Sequence, residues 1–591
     1  MFQRSTIEKS FRTSLIVMLL SELTSTIGPL IDGIIIAAFL GKNGVAEFGV
    51  INPLLIAYNA LGSVFATGAV TFCSQLIGKG KTDKAAGAFS AAFFFIVITS
   101  VVTTAVLLAF ADPITRLLGA SPTAADNFFI EAKNYYIGIT VSFPAFNLMI
   151  YLTSFMQVDN DRKRALIATI VLTVTDVIGD ILSATVFKSG MFGMGLATSV
   201  ANYFALIVLL FHFAKKDAMM KPRLKKLPWN LIGAMVPKGI VSFVTLIGTT
   251  LMFILMNHIL IAYGGDIIVL TAFTVQRQVF TFLFALGKSM GFTVMTMVGF
   301  FYGERNTDDL RELLFLGIKY TILLGGAVAV IGITFADILA SLFVSSNPEA
   351  VPLVAWAVRI IVLCIPFITA NILYECFYRG SGRLFPSITL SILIDFLLST
   401  IIAYVLAPFI GEKSVFWAHF SAQVLILAAT VAVVWIRCQK KDRPFIEMAL
   451  FLPAQFKIDP ERHLFEYVKD IPGCSKIAGQ ILELGTRLGI ERRKTVFAAL
   501  CSEEMCENIL EHDFDGRKDN MISVFTFVDE KNQMLISIRD NCKPFSPVEW
   551  DKIHNNDEDN IKYIGIRLVA KLAKEIRYTN ALNMNSLYIS F

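Results

Sequence analysis

Charge is what this sequence has least of. Only 17% of its 591 residues are Asp, Glu, Lys or Arg, against about 25% in an average soluble domain. The six His form no cluster at zinc spacing, and the eight Cys are scattered without a Cys-x-x-Cys pair. Neither a structural metal nor a disulfide framework is expected. No Walker phosphate-binding motif occurs, so nothing here would power transport by ATP hydrolysis. The net charge of +5 is spread too thinly to form a nucleic-acid surface.

What the chain has instead is apolar length: 55% hydrophobic residues, 50 Phe and a mean hydropathy of +0.64. Runs long enough to cross a bilayer, about 20 residues each, fall at about 14–40, 48–77, 85–111, 133–158, 165–187, 191–214, 232–263, 267–301, 313–344, 350–379, 385–409 and 414–437. An all-α membrane protein of twelve transmembrane helices is expected. The first run continues past Glu22 and Pro29 to Leu40 with no A-x-A site, unlike a cleaved signal peptide. Basic residues crowd one set of loops: Lys79, Lys81 and Lys84, then Arg162-Lys163-Arg164, Lys215-Lys216, Lys225-Lys226, Arg379 and Arg383, with Arg437, Lys440 and Lys441 at the end. The alternate loops hold only Lys42, Arg116, Lys133, Lys188 and Lys413. The positive-inside rule makes both ends cytoplasmic, in a multi-pass protein of the cell (inner) membrane.

The chain also repeats itself. Gly78-Lys-Gly-Lys-Thr82-Asp83-Lys84 returns as Gly303-Glu-Arg-Asn-Thr307-Asp308-Asp309, about 225 residues on. Arg162-to-Asp176 has a counterpart in Arg383-to-Asp395, and Pro144 in Pro366. Corresponding loops share one side, so the two six-helix repeats run parallel and a substrate path lies between them. The expected division is an N-lobe at 1–215, a basic linker at 216–227, a C-lobe at 228–443, a linker at 444–463 and a cytosolic domain at 464–591.

Within 165–187, Asp176 and Asp180 stand at i and i+4, one turn apart on one helix face. An ionised Asp at the centre of a membrane helix costs about 2.5–3.5 kcal/mol on insertion scales. Two of them face a wet cavity, a cation or each other; the plainer alternative is a polar knot that only holds helices together. Other ionisable groups within spans are Glu22, His258, Arg277, Lys288, Arg359, Glu375, Asp395 and His419. Asp395 is the repeat mate of the fifth-span acids and a candidate for a C-lobe cavity. Glu375, one turn before Arg379, reads as its ion-pair partner or as a second residue of that cavity. Met252, Met256, Met290, Met295 and Met297 offer either an adaptable lining or ordinary packing.

After Arg443 the composition turns mixed. Helices are expected at 474–488 and 492–513, strands at 521–528, 533–539, 575–579 and 586–591, and a helix near 564–574. The result is a cytosolic α/β sandwich of ordinary domain size.

Residues 1–440 resemble a multidrug and toxin extrusion (MATE) transporter. Asp32 after an apolar lead, Gly78-x-x-x-Thr82-Asp83-Lys84, Gly193-Met-Gly195-Leu-Ala197-Thr198 and Ala355-x-x-x-Arg359-Ile360 running to Pro366-Phe367 carry the likeness. The resemblance implies a cation or proton site of Asp32, Asp176 and Asp180, with the Thr198 hydroxyl nearby. Asp176 stands where the family often has Asn. Three carboxylates in one low-dielectric pocket cannot all stay ionised cheaply, so one must take a proton or share a cation. The implied activity is exchange of organic cations or drugs for protons or Na⁺, with no cofactor beyond the coupling ion.

Residues 464–591 resemble GHKL ATPases, the anti-sigma-factor serine kinases in particular. The carrying residues are Glu504-x-x-x-Asn508-x-x-x-His512, Arg539-Asp540-Asn541-Cys542 and Gly565-Ile-Arg-Leu-Val569. The likeness implies Asn508 as a Mg²⁺ ligand, Glu504 as base, Asp540 reading adenine and Gly565 at the phosphates. It departs at Cys542 and Tyr563, where the family has glycine and where a side chain crowds the nucleotide. ATP with Mg²⁺, and an anti-sigma-antagonist-like protein partner, are the implied ligands; nucleic acid is not. Two further functions stay open. One is a membrane signalling protein in which a transporter-like sensor controls a serine kinase-like domain; the other is a lipid-linked glycan flippase.

Overall fold

The computed structural model describes residues 6–118, 127–215, 218–224, 227–263, 267–304, 306–343, 348–441, 445–450, 460–512, 521–529, 532–544, 546, 569, 571–582 and 584–591. Among them, eleven helices are long and apolar enough to cross a membrane. A twelfth span is counted when Phe128–Thr140 and Phe143–Val158, bent by 44°, are taken together. The bend has a local cause. Pro144 in the first turn of the second piece lacks an N–H, so the ladder restarts there. Pro366 occupies the same place in Ile365–Gly380.

The bundle is apolar outside as well as inside. Ile98, Val101, Val102 and Val106 on Thr82–Ala109, and Ile322, Leu323, Val330 and Ile331 on Thr307–Thr334, are all exposed. Helices with an apolar exterior suit hydrocarbon, because every main-chain polar group is satisfied within the helix. Two large buried clusters fill the interior. One joins both halves through residues such as Phe11, Val70, Phe89, Phe301 and Leu313. The other belongs to the C-terminal half and includes Met252, Phe280, Val358 and Phe416. All five methionines singled out above are buried in these clusters or in contact within them, so they pack rather than line a cavity.

Both halves carry a wide helical turn in this span, though not at matching positions. The helix Arg162–Leu182 closes in a π-helical turn, Ser183–Phe187, whereas Leu384–Ile392 runs into Leu393–Leu397, which holds Asp395 and aligns in the repeat with the regular helix around Asp176. Such wide turns inside helices are rare and recur at functional sites.

Among the described residues, the C-terminal domain holds a five-stranded antiparallel sheet in the order β1-β2-β3-β5-β4: β1 His463–Val468, β2 Ile522–Val528, β3 Met534–Asp540, β4 Glu575–Ala581 and β5 Met584–Ser590. Helices Ile471–Arg487 and Arg492–His512 pack together and bury Cys474, Ile481, Ala498 and Met505 against sheet residues Val524, Ile536, Ile538 and Ile589. Asp470 caps the first helix, its side chain accepting from Gly473 N at 2.8 Å. The sheet begins with a strand, β1, that no pattern announced. Its segment, His463-Leu-Phe-Glu-Tyr-Val468, is an edge strand whose faces are half-buried rather than cleanly alternating. Most of the helix expected near 564–574, with Gly565 and Tyr563, lies outside the described residues.

Candidate functional site

Four helices converge on the fifth-span acids. Asp32 lies on Thr6–Gly78, Asp176 and Asp180 on Arg162–Leu182, Thr198 on Gly190–Leu210, and Tyr135 on Phe128–Thr140. Glycines bring the helices this close. A Cβ on Gly195 would sit 2.6 Å from the Tyr135 carbonyl oxygen and 2.8 Å from Ile139 N, and one on Gly138 would sit 2.9 Å from Leu196 N. Gly195 and Gly138 thus let two backbones touch and bring Tyr135 to the acids, while Gly193 makes room for the Ser183 and Ser189 hydroxyls.

The three carboxylates are electrostatic neighbours of one another and of the Tyr135 hydroxyl, and the Thr198 hydroxyl stands beside Asp176. Asp176 is 6% exposed and Asp180 only 1%. On each of Asp32, Asp176 and Asp180, one buried oxygen, Oδ1, has no hydrogen-bond partner. Unpaired buried oxygens are costly. Three neighbouring side chains thus each leave one buried acceptor open. A knot that only held helices together would satisfy its own oxygens. Tyr135 was missed in the sequence, where it is one of two adjacent tyrosines in an apolar run; only helix packing selects which faces the acids.

The repeat mate is built differently. Asp395 Oδ2 accepts from Ser391 Oγ at 2.8 Å, and Ser391 lies 2.7 Å from Thr245 Oγ1. Glu375 Oε1 accepts from Arg379 Nη2 at 2.7 Å, Arg379 Nε at 3.0 Å and Ser387 Oγ at 2.6 Å. Arg379 Nη1 reaches Ser242 Oγ at 3.0 Å. Glu375, Arg379, Asp395 and Lys288 line an open cleft to which Ser63 of the N-terminal half also contributes. Lys288 stacks over Phe284, 4.9 Å from the ring centre. This second set is internally paired where the first is not. Elsewhere, His419 packs edge-on to Phe280 with Nδ1 3.1 Å from Ser399 Oγ, and His258 is exposed.

At the basic end, His212 is held between two acids. Its Nδ1 lies 2.8 Å from Asp161 Oδ2 and its Nε2 2.8 Å from Asp159 Oδ2. Asp159 also accepts from Met219 N and Met220 N, pinning the connection between the halves.

In the C-terminal domain, Glu504 and Asn508 are half-buried one turn apart, and Asn508 Nδ2 donates to the Glu504 carbonyl at 2.7 Å. Asp540 ends β3, buried, with Oδ1 accepting from Asn585 Nδ2 at 2.6 Å and from Cys542 N at 2.8 Å.

The chain matches the MatE family twice, over residues 18–182 and again over 242–405. It is 21% identical over 446 residues to the "Probable multidrug resistance protein YoeA" of Bacillus subtilis, covering 73% of this chain and 95% of that one. It is 19% identical over 439 residues to "Multidrug export protein MepA" of Staphylococcus aureus, at 74% and 95% coverage. Among solved structures, an outward-facing multidrug resistance MATE family transporter superposes with a TM-score of 0.68 at 19% identity, covering 76% of this chain and 98% of that one. The Vibrio cholerae MATE transporter VcmN in its bent form gives 0.67 at 18%, covering 76% and 97%. The double match falls on the two halves, at the offset of the internal repeat. This multi-pass membrane protein belongs to the MatE family.

Proposed function

We propose that this chain is a secondary active exporter of organic cations or drugs that exchanges them for protons or Na⁺. The observation that carries the reading is the set of unpartnered oxygens on Asp32, Asp176 and Asp180. Taking up a proton or Na⁺ satisfies them and removes the negative charge that holds an organic cation. Ion and substrate are then linked by reciprocal coupling, and each promotes release of the other. The multidrug names of relatives that match nearly their whole length support the same activity. The basic end, by the positive-inside rule, faces the cytoplasm with both termini. The test is efflux of a fluorescent organic cation from vesicles under imposed Na⁺ or pH gradients, with and without ATP. Export driven by ATP alone would overturn the reading.

The C-terminal domain reads as a GHKL-type module for ATP and Mg²⁺, its partner an anti-sigma-antagonist-like protein. The residues present suit the ligand in kind: an amide oxygen for a hard cation with a carboxylate one turn away to take a proton, and a fixed buried carboxylate for an amino group. Asn508 would hold Mg²⁺ with the phosphates, Glu504 would act as base, and Asp540, oriented by Asn585, would read the adenine. Bound ATP would supply a transferable phosphoryl group. Binding of a fluorescent ATP analogue that Asp540→Asn abolishes is the expected result; binding unchanged by that substitution removes Asp540 from the site.

A further inference from the structure

The C-terminal domain grips both halves of the bundle at their basic ends, on the two copies of the repeated loop. Arg539, on β3 and 4% exposed, pairs with Glu304 and Asp309, the second and last residues of the second copy. Its guanidinium also lies over Phe301, 5.0 Å from the ring centre. On β1, His463 Nε2 lies 3.5 Å from Asp308 Oδ2, and the Tyr467 hydroxyl donates to Glu312 Oε2 at 3.3 Å. The first copy is held by β4: Arg577 Nη1 donates to the Lys79 and Gly80 carbonyls at 3.1 and 3.0 Å. Beyond Arg577, the β4–β5 hairpin enters the N-lobe. Asn160 Nδ2 donates to the Asn580 carbonyl at 3.0 Å, and Ser10 Oγ to the Leu582 carbonyl. Leu582, at the tip, is 2% exposed and joins the buried cluster of Ile7, Phe11 and Val158. It adopts a φ of +57°, a left-handed conformation that L side chains rarely take and that its packing must offset.

One hydrogen-bonded sheet therefore spans the seam where the two lobes meet. β3 and β4 both pair with β5, so Arg539 and Arg577 belong to one rigid unit. The contact is not a lipid-facing accident: it combines a buried two-acid ion pair, ring stacking and an inserted apolar tip. Buried arrangements of this kind break at high cost when one partner is removed, because the other charges stay behind unpaired.

We propose that the C-terminal domain is a clasp that holds the two lobes together at their basic ends, so that this end opens only when the domain releases Arg539 and the Leu582 hairpin. The proposal rests on the transporter reading, in which the lobes part at that end during the cycle. A ligand or partner of the domain would then gate export without touching the cation site.

The experiment uses the full chain in lipid nanodiscs with Cys438→Ser and Cys542→Ser, and spin labels on Lys84→Cys and Phe385→Cys, one on each lobe. The unaltered clasp is expected to give a single short distance. Arg539→Ala and, separately, Leu582→Asp are expected to raise a longer-distance population at least about tenfold, as breaking one buried ion pair would. Because Arg539→Ala weakens the sheet as well, a third variant tests the converse. Asn160→Cys with Asn580→Cys, oxidised, fixes the hairpin to the N-lobe, so it should restore the short distance to Leu582→Asp but not to Arg539→Ala, whose lost grip is on the other lobe. Short distances in both release variants, or a long population in the cross-linked Leu582→Asp protein, would overturn the clasp. Lobes that part on release in a protein that exports no organic cation under any ion gradient would leave the clasp standing and remove the exporter reading.

Discussion

Gly78 and Gly303, the leading residues of the two repeated loop motifs, lie against one another across the seam between the lobes. A Cβ on Gly303 would come within 2.8 Å of Gly78 Cα, and one on Gly78 within 3.0 Å of Gly303 Cα. Beside them, Gln75 Nε2 donates to the Gly380 carbonyl at 2.7 Å and Lys238 Nζ to Gln75 Oε1 at 2.9 Å. The basic end of the bundle is closed by backbone touching backbone.

A methyl group cannot enter that contact without moving a helix. Gly78→Ala or Gly303→Ala should cost the closed arrangement about 1–3 kcal/mol, the usual range for overpacking. Thermal unfolding in detergent reads that cost, while the same spin-label pair should keep its short distance because the C-terminal domain still holds both lobes. An unaltered unfolding temperature would show that the seam yields elsewhere.

Asp180 is 1% exposed, with one oxygen unpartnered. Asp180→Asn should abolish ion-coupled export while leaving insertion and thermal stability intact, since the amide is isosteric and needs no counter-cation. Asp176→Asn should keep export but bind less of the coupling ion per turnover. Vesicle efflux under a defined gradient, with ion uptake measured in parallel, checks both. Full transport by Asp180→Asn would sink the site.

The Glu375–Arg379 pair is buried on both sides, at 5% and 3% exposure. Arg379→Ala strands the carboxylate beside Asp395 and should lower stability by about 3–5 kcal/mol. Glu375→Gln with Arg379→Met should restore much of that loss. Thermal unfolding in detergent compares the two. Equal losses would mean that packing, not charge, dominates at this position.

Asp161 lies in the turn ahead of Arg162–Leu182. Burial by itself would favour its neutral form, but His212, Arg164 and Lys215 outweigh that and hold the carboxyl below the usual range. A lowered native pKa gives stability that is complete above the unfolded value of about 3.9 and lost as pH falls through the native value. Unfolding temperature should therefore drop as pH falls below about 4. His212→Ala should flatten part of that drop and cost about 1.5–3 kcal/mol at neutral pH, because each acid loses one charge-assisted hydrogen bond while Asp159 keeps Met219 N and Met220 N and Asp161 keeps Arg164 and Lys215. A pH profile identical to that of the unaltered protein would remove His212 as the cause.

Much of this was legible in the chain. Apolar run length placed the membrane helices, because a bilayer leaves few ways to satisfy a backbone. The motif at Gly78 and Gly303 announced the repeat, and the i, i+4 spacing of Asp176 and Asp180 announced a shared face. In the C-terminal domain, helices expected at 474–488 and 492–513 are seen at Ile471–Arg487 and Arg492–His512, since both are amphipathic and clearly bounded. What the chain alone determines is local: period, length, charge and the identity of the acids.

Tertiary packing decided the rest. Nothing in the order of residues shows that Tyr135 rather than Tyr136 meets the carboxylates, because that depends on how closely Gly195 lets two helices approach. Nor does it show that Asp395 is bonded by Ser391 while Asp180 keeps an unpaired oxygen, although the repeat makes them counterparts. The largest difference lies between Arg539 and the pair Glu304 and Asp309, 230 or more residues apart in sequence. Their meeting is set by where a sheet docks on a bundle, and docking depends on surfaces that exist only once both parts have folded.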